Sequence, residues 1–266
     1  MSTLPLGTAL VTGASSGIGA MYAKRLAARG HNLVLVARGR ERLQALADTL
    51  RASYGVDVEV LAADLSRASD VQNIANVLRE NSAISVLVNN AGLGPHGKAL
   101  DNDDETLATM LDVNVTALHS LAIAAGRAFA ARGNGAIINI ASVVALMPEY
   151  FHPTYVASKA FVLAFSQSLA AELAPSGVKL QAVLPGLTRT EIFDRAGGDI
   201  SQLDPRMVME VADMVDAALA GFDQGEAVTI PSLPNAADWQ ALQNARQALA
   251  PNLSLNTPAP RYGVPS

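Results

Sequence analysis

Tyr155 and Lys159 are the two side chains whose types and spacing point most directly to proton transfer. They stand four residues apart in a stretch that reads as a helix from about Thr154 to the break at 175–177, so they share one helix face. A free tyrosine has a pKa of about 10, and a neighbouring ammonium is expected to lower it by favouring the phenolate. Such a pair alone is typical of a helix surface. Ser142, upstream of the pair, adds a hydroxyl suited to bind a carbonyl oxygen beside Tyr155, and the set predicts acid–base chemistry on a carbonyl or alcohol.

A glycine-rich turn near the N-terminus follows an apolar run at 9–11 and precedes a helical pattern. Small residues let a backbone approach a pyrophosphate, and a helix N-terminus supplies N–H donors and positive potential. Glycines alone are weak support, because any tight turn between strand and helix favours them. Their position between a strand and a helix makes a nucleotide site the better interpretation. The predicted contacts are Gly13, Ser15, Ser16, Gly17, Ile18 and Gly19.

Short apolar runs alternate with helical patterns through the first 185 residues. The runs are continuously apolar, which indicates strands covered on both faces. The alternation predicts an α/β fold, a doubly wound parallel sheet (Rossmann fold) in a single domain. We expect this domain to occupy 1–250, with a substrate loop at about 186–210, and residues 251–266 to form an extended tail. The predicted strands are 9–11, 33–36, 58–61, 86–88, 136–140, 180–184 and 228–230.

Composition excludes several other classes of protein. Half of the 266 residues are hydrophobic and 16% are charged, which allows a large core. The net charge of −5 is modest and the basic residues are scattered, so we expect neither nucleic acid nor a membrane as partner. There is no cysteine, and the four histidines lack metal-binding spacing, so no metal is expected. The N-terminal residues lack signal-peptide character, and we expect a cytoplasmic protein.

The glycine spacing, Gly-x3-Gly-x-Gly, resembles that of the short-chain dehydrogenase/reductase family. The resemblance extends from about residue 7 to 230, with the family's motifs in its order and at its spacings. They are the turn at 12–19, Asn89-Asn90-Ala91-Gly92, Asn114, Ser142, Tyr155-x3-Lys159 and Pro185-Gly186. The resemblance implies an oxidoreductase that uses a nicotinamide dinucleotide, with Tyr155 as the acid for carbonyl reduction and the base for alcohol oxidation.

The resemblance also implies individual roles. Lys159 would hold the nicotinamide ribose, and Asn114 would position a water that continues the proton path. Asp64 would accept from the adenine amino group, although capping of the next turn is an equally simple role and both could hold. Thr190 is expected to contact the cofactor, with Thr188 as a second choice. The full set of predicted cofactor contacts beyond the glycine-rich turn is Arg38, Asp64, Leu65, Asn90, Ala91, Gly92, Tyr155, Lys159, Pro185, Gly186, Thr188 and Thr190.

Arg38 predicts the choice of cofactor. An NAD enzyme commonly carries an acidic residue after its second strand, to hold the ribose 2′-hydroxyl. Here that strand ends in Ala37-Arg38, with no carboxylate before Glu41. A guanidinium binds a 2′-phosphate through charge-assisted hydrogen bonds, so NADP(H) is expected to be preferred over NAD(H). The simpler alternative makes Arg38 a solvated residue at a strand end.

The predicted substrate contacts are mostly apolar, which favours a hydrophobic ketone or aldehyde and its alcohol. They are Val144, Met147, Phe151, His152, Leu187 and Phe193. A 3-oxoacyl-thioester reductase and a non-catalytic NADP-binding regulatory protein remain as alternatives. We expect residues 188–209 to close over a bound ligand, and the apolar helix that carries Tyr155 to pair across a two-fold axis in a homodimer or homotetramer.

Overall fold

In the computed structural model, which describes residues 4, 6–190 and 202–264, seven parallel strands form a sheet in the order β3-β2-β1-β4-β5-β6-β7. The α/β fold and all seven strands predicted from the sequence are confirmed. The strands are β1 Thr8–Thr12, β2 Asn32–Ala37, β3 Val58–Ala62, β4 Ile84–Asn89, β5 Gly135–Ile140, β6 Val178–Val183 and β7 Val228–Thr229.

Helices cover both faces of the sheet, which explains why most of its strand residues are apolar. On one face the core contains side chains from α1, α2 and α7, among them Tyr22, Leu43 and Phe222. On the other it contains side chains from α3, α5 and α6, among them Leu78 and Phe129. The helices of this unit are α1 Gly17–Ala28, α2 Arg40–Tyr54, α3 Ala68–Glu80, α4 Asp104–Leu111, α5 Leu118–Arg132, α6 Pro153–Leu173 and α7 Val211–Gln224.

The strand order changes direction between β1 and β4. From β1 the chain moves outward through β2 to β3, then returns to the other side of β1 with β4. At such a switch point the loops that leave the two strands diverge and open a crevice beyond their carboxyl ends. Thr12 ends β1 and Asn89 ends β4, so the glycine-rich turn and the Asn-Asn-Ala-Gly segment both begin at this crevice.

A π-helical turn, Asp112–Ala117, joins α4 to α5. Together they form one helical segment, Asp104–Arg132, which by length and composition alone could cross a membrane. In the fold it is a core helix, because Leu121, Ala125 and Phe129 are buried beneath the sheet.

The chain divides into two compact units, Met1–Pro231 and Ser232–Ser266. The first holds the sheet and the elements above. The second contains α8, Ala236–Gln247, and short 3-10 turns at Ala250–Asn252 and Pro260–Tyr262. None of its described residues, 232–264, is buried. This division does not test the boundary expected near residue 250 or the tail at 251–266, which stay predictions.

Candidate active site

The turn between β1 and α1 has the backbone of an anion cradle. Gly13 and Gly17 adopt positive φ angles of 65° and 52°, which favour glycine. Ser16 precedes α1 in an extended conformation, and its side chain makes no capping hydrogen bond. The first turn of α1 contains no acidic residue, so its N–H groups and positive dipole end face the turn without a competing carboxylate. These features fit a dinucleotide pyrophosphate.

Thr12 and Asn90 lock this turn to the end of β4. The Thr12 hydroxyl oxygen accepts from the backbone N–H groups of Asn90 and Ala91, each at 3.0 Å. In return the Asn90 side-chain amide donates to the carbonyl oxygens of Thr12 and Gly13, at 2.9 and 3.3 Å. A Cβ on Gly19 would collide with the Gly13 carbonyl oxygen and the Asn90 amide. Gly19 is therefore required by close packing, and Asn90 braces the cradle, a role that the sequence reading missed along with that of Thr12.

Two other predicted residues of the turn are half-buried: Ser15, and Ile18, which packs against the core. Asn89 lies deeper and is buried. Its amide donates to the Leu118 carbonyl and to the Asn139 side chain.

Arg38 and Asp64 lie together at the carboxyl ends of β2 and β3. Arg38 is exposed, and its charge contributes to a lowered pKa of Asp64. The largest cause of that lowering is the backbone N–H of Ser66, which donates to the Asp64 carboxylate at 3.1 Å, and the Ser66 hydroxyl donates at 2.8 Å. Asp64 thus caps the next turn, one of its two expected roles. Leu65 is buried in the core, which leaves its backbone as the part available to a cofactor.

Ser142 follows the end of β5. There it faces the first residues of the loop that follows β6. Its hydroxyl donates to the Pro185 carbonyl and accepts from the Val144 N–H, both at 3.4 Å, and it hydrogen-bonds the Tyr155 phenol. Pro185 also accepts from the Val143 N–H at 3.0 Å. The Pro185-Gly186 segment therefore positions the serine through its backbone.

Lys159 is held by a backbone carbonyl at the end of β5. Its Nζ donates to the Ile140 carbonyl oxygen at 3.0 Å and lies 5.7 Å from the centroid of the Tyr155 ring. A Cβ on Gly92 would stand 3.6 Å from this Nζ and 3.3 Å from the Asn114 Oδ1. Gly92, Asn114 and Lys159 therefore border one small space next to Tyr155.

Desolvation controls the protonation of the pair. It raises the pKa of Tyr155 to about 12, against the smaller lowering by the Ser142 hydrogen bond. It also lowers the pKa of Lys159 to about 8. The expectation of a lowered tyrosine pKa is wrong, because desolvation by burial raises the pKa of Tyr155 more than the Ser142 hydrogen bond lowers it. Tyr155 is consequently a protonated donor at neutral pH, the form that carbonyl reduction requires.

Asn114 lies inside the π-helical turn and is fully buried. Its Oδ1 accepts from the Leu93 N–H at 2.8 Å, and its Nδ2 donates to the Leu93 carbonyl at 3.0 Å and to the Ser158 hydroxyl at 3.1 Å. A π-helical turn is frequently found at functional sites. Ser158 was not among the residues singled out from the sequence; its place beside Lys159 was the only signal.

The predicted substrate contacts differ in their surroundings. Val144 is buried and serves the core, whereas Met147 and Phe151 expose about half of their surface, at 50% and 48%. The His152 Nδ1 accepts from the Tyr155 N–H at 3.4 Å at the start of α6. Phe193 lies outside the described residues.

Leu187 begins the segment expected to act as a lid. Its carbonyl accepts from the Met209 N–H at 2.9 Å, and Arg189 donates to the Met209 carbonyl at 3.0 Å. An ion pair between Arg189 and Glu210, at 2.7 Å, links the same two stretches of chain, 187–189 and 209–210. These contacts hold the two ends of the segment together. Residues 191–201 of the segment lie outside the described residues, so its closure stays a prediction.

Thr188 and Thr190 differ in what they face. The Thr188 hydroxyl donates to the Gly186 carbonyl at 3.1 Å and is nearly buried. Thr190 lies beside the cradle, since a Cβ on Gly17 would stand 3.4 Å from its methyl carbon. The position of Thr190 favours it as the cofactor contact.

Among the described residues, no group of three or more His, Asp or Glu side chains is arranged to hold a metal ion. What the site offers is a phosphate cradle at the switch point of a parallel sheet, next to a hydroxyl, a phenol and an ammonium. The segment 90–92 links the two parts, because Asn90 binds the cradle and Gly92 borders the Lys159 ammonium. Fold and site together define an NAD(P)-dependent dehydrogenase or reductase. Residues 7–200 match the short chain dehydrogenase family, and the chain belongs to this family.

Two solved structures are similar over nearly the whole chain. A short-chain dehydrogenase from Sphingobium yanoikuyae in complex with NADPH is 51% identical, with a TM-score of 0.93 over 96% of this chain and 98% of that one. A bulky-bulky ketone specific alcohol dehydrogenase from Comamonas testosteroni is 45% identical, with a TM-score of 0.89 over 97% and 98%.

A curated relative is named for a different substrate. The very-long-chain 3-oxoacyl-CoA reductase of Anas platyrhynchos is 34% identical over 188 residues, which is 69% of this chain. The match spans 60% of the length of that relative.

Proposed function

We propose that this protein is an NADP(H)-dependent carbonyl reductase, or alcohol dehydrogenase, for hydrophobic ketones or aldehydes. The observation that carries the proposal is the contact between Ser142, Tyr155 and Lys159 beside the cradle at the carboxyl end of the sheet. A protein that only bound the cofactor would have no use for a serine hydroxyl next to this phenol.

The residues of this chain divide the work on the carbonyl group. When bound, the nicotinamide supplies or accepts the hydride. The Ser142 hydroxyl donates to the carbonyl oxygen and stabilises the negative charge that develops there. Tyr155 gives its proton to the same oxygen in reduction and takes it back in oxidation. The Lys159 ammonium, held by the Ile140 carbonyl, favours the phenolate that forms when the proton leaves.

Support for NADP(H) over NAD(H) comes from the charges at the end of β2. Arg38 is exposed there, and the carboxylate at the end of the next strand, Asp64, is already occupied by Ser66. A 2′-phosphate would therefore meet a guanidinium rather than an uncompensated carboxylate. The Sphingobium yanoikuyae structure was solved with NADPH, which agrees with this choice.

Support for a bulky hydrophobic substrate comes from the segment between Ser142 and Tyr155. Met147, Tyr150 and Phe151 all leave about half or more of their surface exposed. Large apolar side chains exposed next to an active site gain from covering an apolar ligand. The similarity to the bulky-bulky ketone specific enzyme of Comamonas testosteroni points the same way.

A 3-oxoacyl-thioester reductase is the second candidate, favoured by the curated relative from Anas platyrhynchos. Both reactions use the same serine, tyrosine and lysine, so only the substrate separates them.

The test is to follow NADPH and NADH consumption with three carbonyl sets: ketones bulky on both sides, small ketones, and 3-oxoacyl-CoA thioesters. We expect NADPH with bulky ketones to give the highest kcat/KM. Higher kcat/KM on the thioesters would replace the first candidate by the second. Tight NADPH binding without turnover of any carbonyl would indicate the non-catalytic alternative.

We also propose a homo-oligomer in the cytoplasm. In support of assembly, His119 on α5 and Phe161 and Phe165 on α6 form an aromatic cluster at the outer side of these helices. The Phe161 and Phe165 rings stack with centroids 5.6 Å apart. A second copy of this face would cover the cluster.

A further inference from the structure

We propose that Ser158 is a positioning residue, which fixes the orientation of the Asn114 side chain relative to Tyr155 and Lys159. The inference rests on the proposed function, because Asn114 matters for turnover only if Tyr155 is the proton donor.

A continuous chain of hydrogen bonds links three parts of the fold through this serine. The Leu93 backbone, after β4, makes two hydrogen bonds with the Asn114 side chain in the π-helical turn. The Asn114 Nδ2 donates to the Ser158 Oγ at 3.1 Å. The Ser158 hydroxyl then donates to the Tyr155 backbone carbonyl oxygen at 2.7 Å on α6.

The serine has one proton, and its use supports one of the two orientations of the Asn114 amide. Because the Ser158 proton goes to the Tyr155 carbonyl, only oxygen lone pairs face Asn114. An amide nitrogen satisfies those lone pairs, whereas the amide oxygen would oppose them. Ser158 therefore favours Nδ2 on its side. The Leu93 backbone favours the same orientation, because Oδ1 accepts from its N–H and Nδ2 donates to its carbonyl.

The orientation of the Asn114 amide affects the surroundings of Lys159. The Oδ1 of Asn114 borders the same small space as the Lys159 ammonium, next to Gly92. An acceptor oxygen in that place favours the ammonium, and a reversed amide would instead present its N–H groups. Ser158 and Asn114 are each only 1% exposed, so water cannot easily replace the lost hydrogen bond.

Ser166 offers a matched control on the same helix. It is also 1% exposed, and its hydroxyl also accepts from an asparagine amide, the Asn139 Nδ2 at 3.0 Å. It makes no contact with Asn114, Tyr155 or Lys159 among the hydrogen bonds of the described residues. Replacing either serine by alanine removes the same chemistry from the same kind of buried position.

The experiment measures kcat and the KM for NADPH with a bulky ketone, together with urea unfolding. We expect Ser158→Ala to lower kcat by roughly tenfold or more with a smaller change in KM. Ser166→Ala should keep kcat within about twofold despite a similar loss of stability. Ser158→Cys, which keeps a weak donor at nearly the same volume, should fall between serine and alanine.

A double-mutant cycle shows whether Ser158 acts through Asn114. Added to Asn114→Ala, the Ser158→Ala change should cause no further loss of kcat. Independent, multiplying losses, or a Ser158→Ala enzyme with normal kcat, would overturn the inference. The unaltered protein and Tyr155→Phe are measured alongside. If the unaltered protein reduces no ketone, the proposed function fails; if Tyr155→Phe turns over normally, Tyr155 is not the proton donor. An active unaltered protein and an inactive Tyr155→Phe beside a normal Ser158→Ala remove only the role of Ser158.

Discussion

Single side chains at the candidate site are held by backbone groups more often than by one another. Lys159 donates to the Ile140 carbonyl, Ser142 contacts the Pro185 carbonyl, and Asn114 is bound by both backbone groups of Leu93. The sequence identified these side chains by type and spacing. It could not identify their backbone partners, because no side-chain pattern marks a carbonyl group that meets another segment of the chain.

Replacing Arg38 by Asp tests the predicted cofactor preference. A carboxylate at this position removes charge-assisted hydrogen bonds to a 2′-phosphate and repels it, so the Kd for NADPH should rise about 10- to 100-fold. The Kd for NADH should change far less. Arg79→Asp, in the last turn of α3, makes the same change in charge away from the predicted phosphate site and serves as control. Equal affinities for NADPH and NADH in the unaltered protein would refute the preference.

The lowered pKa of Lys159 predicts a pH dependence. Desolvation brings the pKa to about 8, so the ammonium is present below that pH and is lost as the pH rises through it. Tyr155, with a pKa of about 12, stays protonated over the same range. We therefore expect kcat/KM for carbonyl reduction to be constant at neutral pH and to fall above about 8. A profile that stays flat well beyond that value would show that the ammonium is not needed.

At the scale of elements, the site depends on junctions rather than on the interiors of helices and strands. Three junctions position groups of the candidate site. The turn from β1 to α1 forms the cradle, the π-helical turn before α5 positions Asn114, and the start of α6 positions Tyr155. The continuously apolar runs predicted the strands well, because strands covered on both faces need such runs. The π-helical turn was not predicted, since its residues fit an ordinary helical pattern and only the contacts of Asn114 distinguish it.

Alanine at Gly13 should damage the cradle more than the fold. Gly13 has a φ of 65°, and an added Cβ would lie 2.7 Å from the Asn90 Nδ2 and 2.9 Å from the Ala91 Cα. Gly30, at the end of α1, has a φ of 86° with nothing within 4 Å of such a Cβ. Gly30→Ala should therefore cost only the strain of about 1–2 kcal/mol and leave the Kd for NADPH unchanged.

Gly13→Ala should cost more stability and raise that Kd at least about tenfold, because Asn90 must shift out of the cradle. Urea unfolding and fluorescence titration with NADPH measure the two effects. Equal effects of the two substitutions on cofactor affinity would show that the cradle does not bind the dinucleotide.

At the scale of the whole molecule, the sheet of the first unit explains where the site must lie, and the family resemblance explains which residues fill it. The reversal of strand order between β1 and β4 fixes the crevice. The order itself could not be read from the sequence pattern alone, because each apolar run is compatible with several neighbours in a parallel sheet. The packing within the second unit was also beyond prediction, since α8 has no buried residue to give it an apolar face.

The proposed assembly predicts a mass larger than one chain in solution. The aromatic cluster of His119, Phe161 and Phe165 should be covered in a dimer or tetramer, so Phe161→Glu with Phe165→Glu would place charges in an apolar contact. Sedimentation should then show an oligomer for the unaltered protein at micromolar concentration and a shift toward monomer for the double variant. A monomer in both cases would refute the proposal.

The most direct test of the account is Tyr155→Phe, assayed for both NADPH binding and ketone reduction in the same preparation. The substitution removes only the phenolic hydroxyl, the group that contacts Ser142 and that we propose as the proton donor. The account predicts a Kd for NADPH within a few-fold of the unaltered protein and a turnover lower by about 10²- to 10⁴-fold. A Tyr155→Phe protein that binds NADPH and reduces the ketone at a near-normal rate would contradict it.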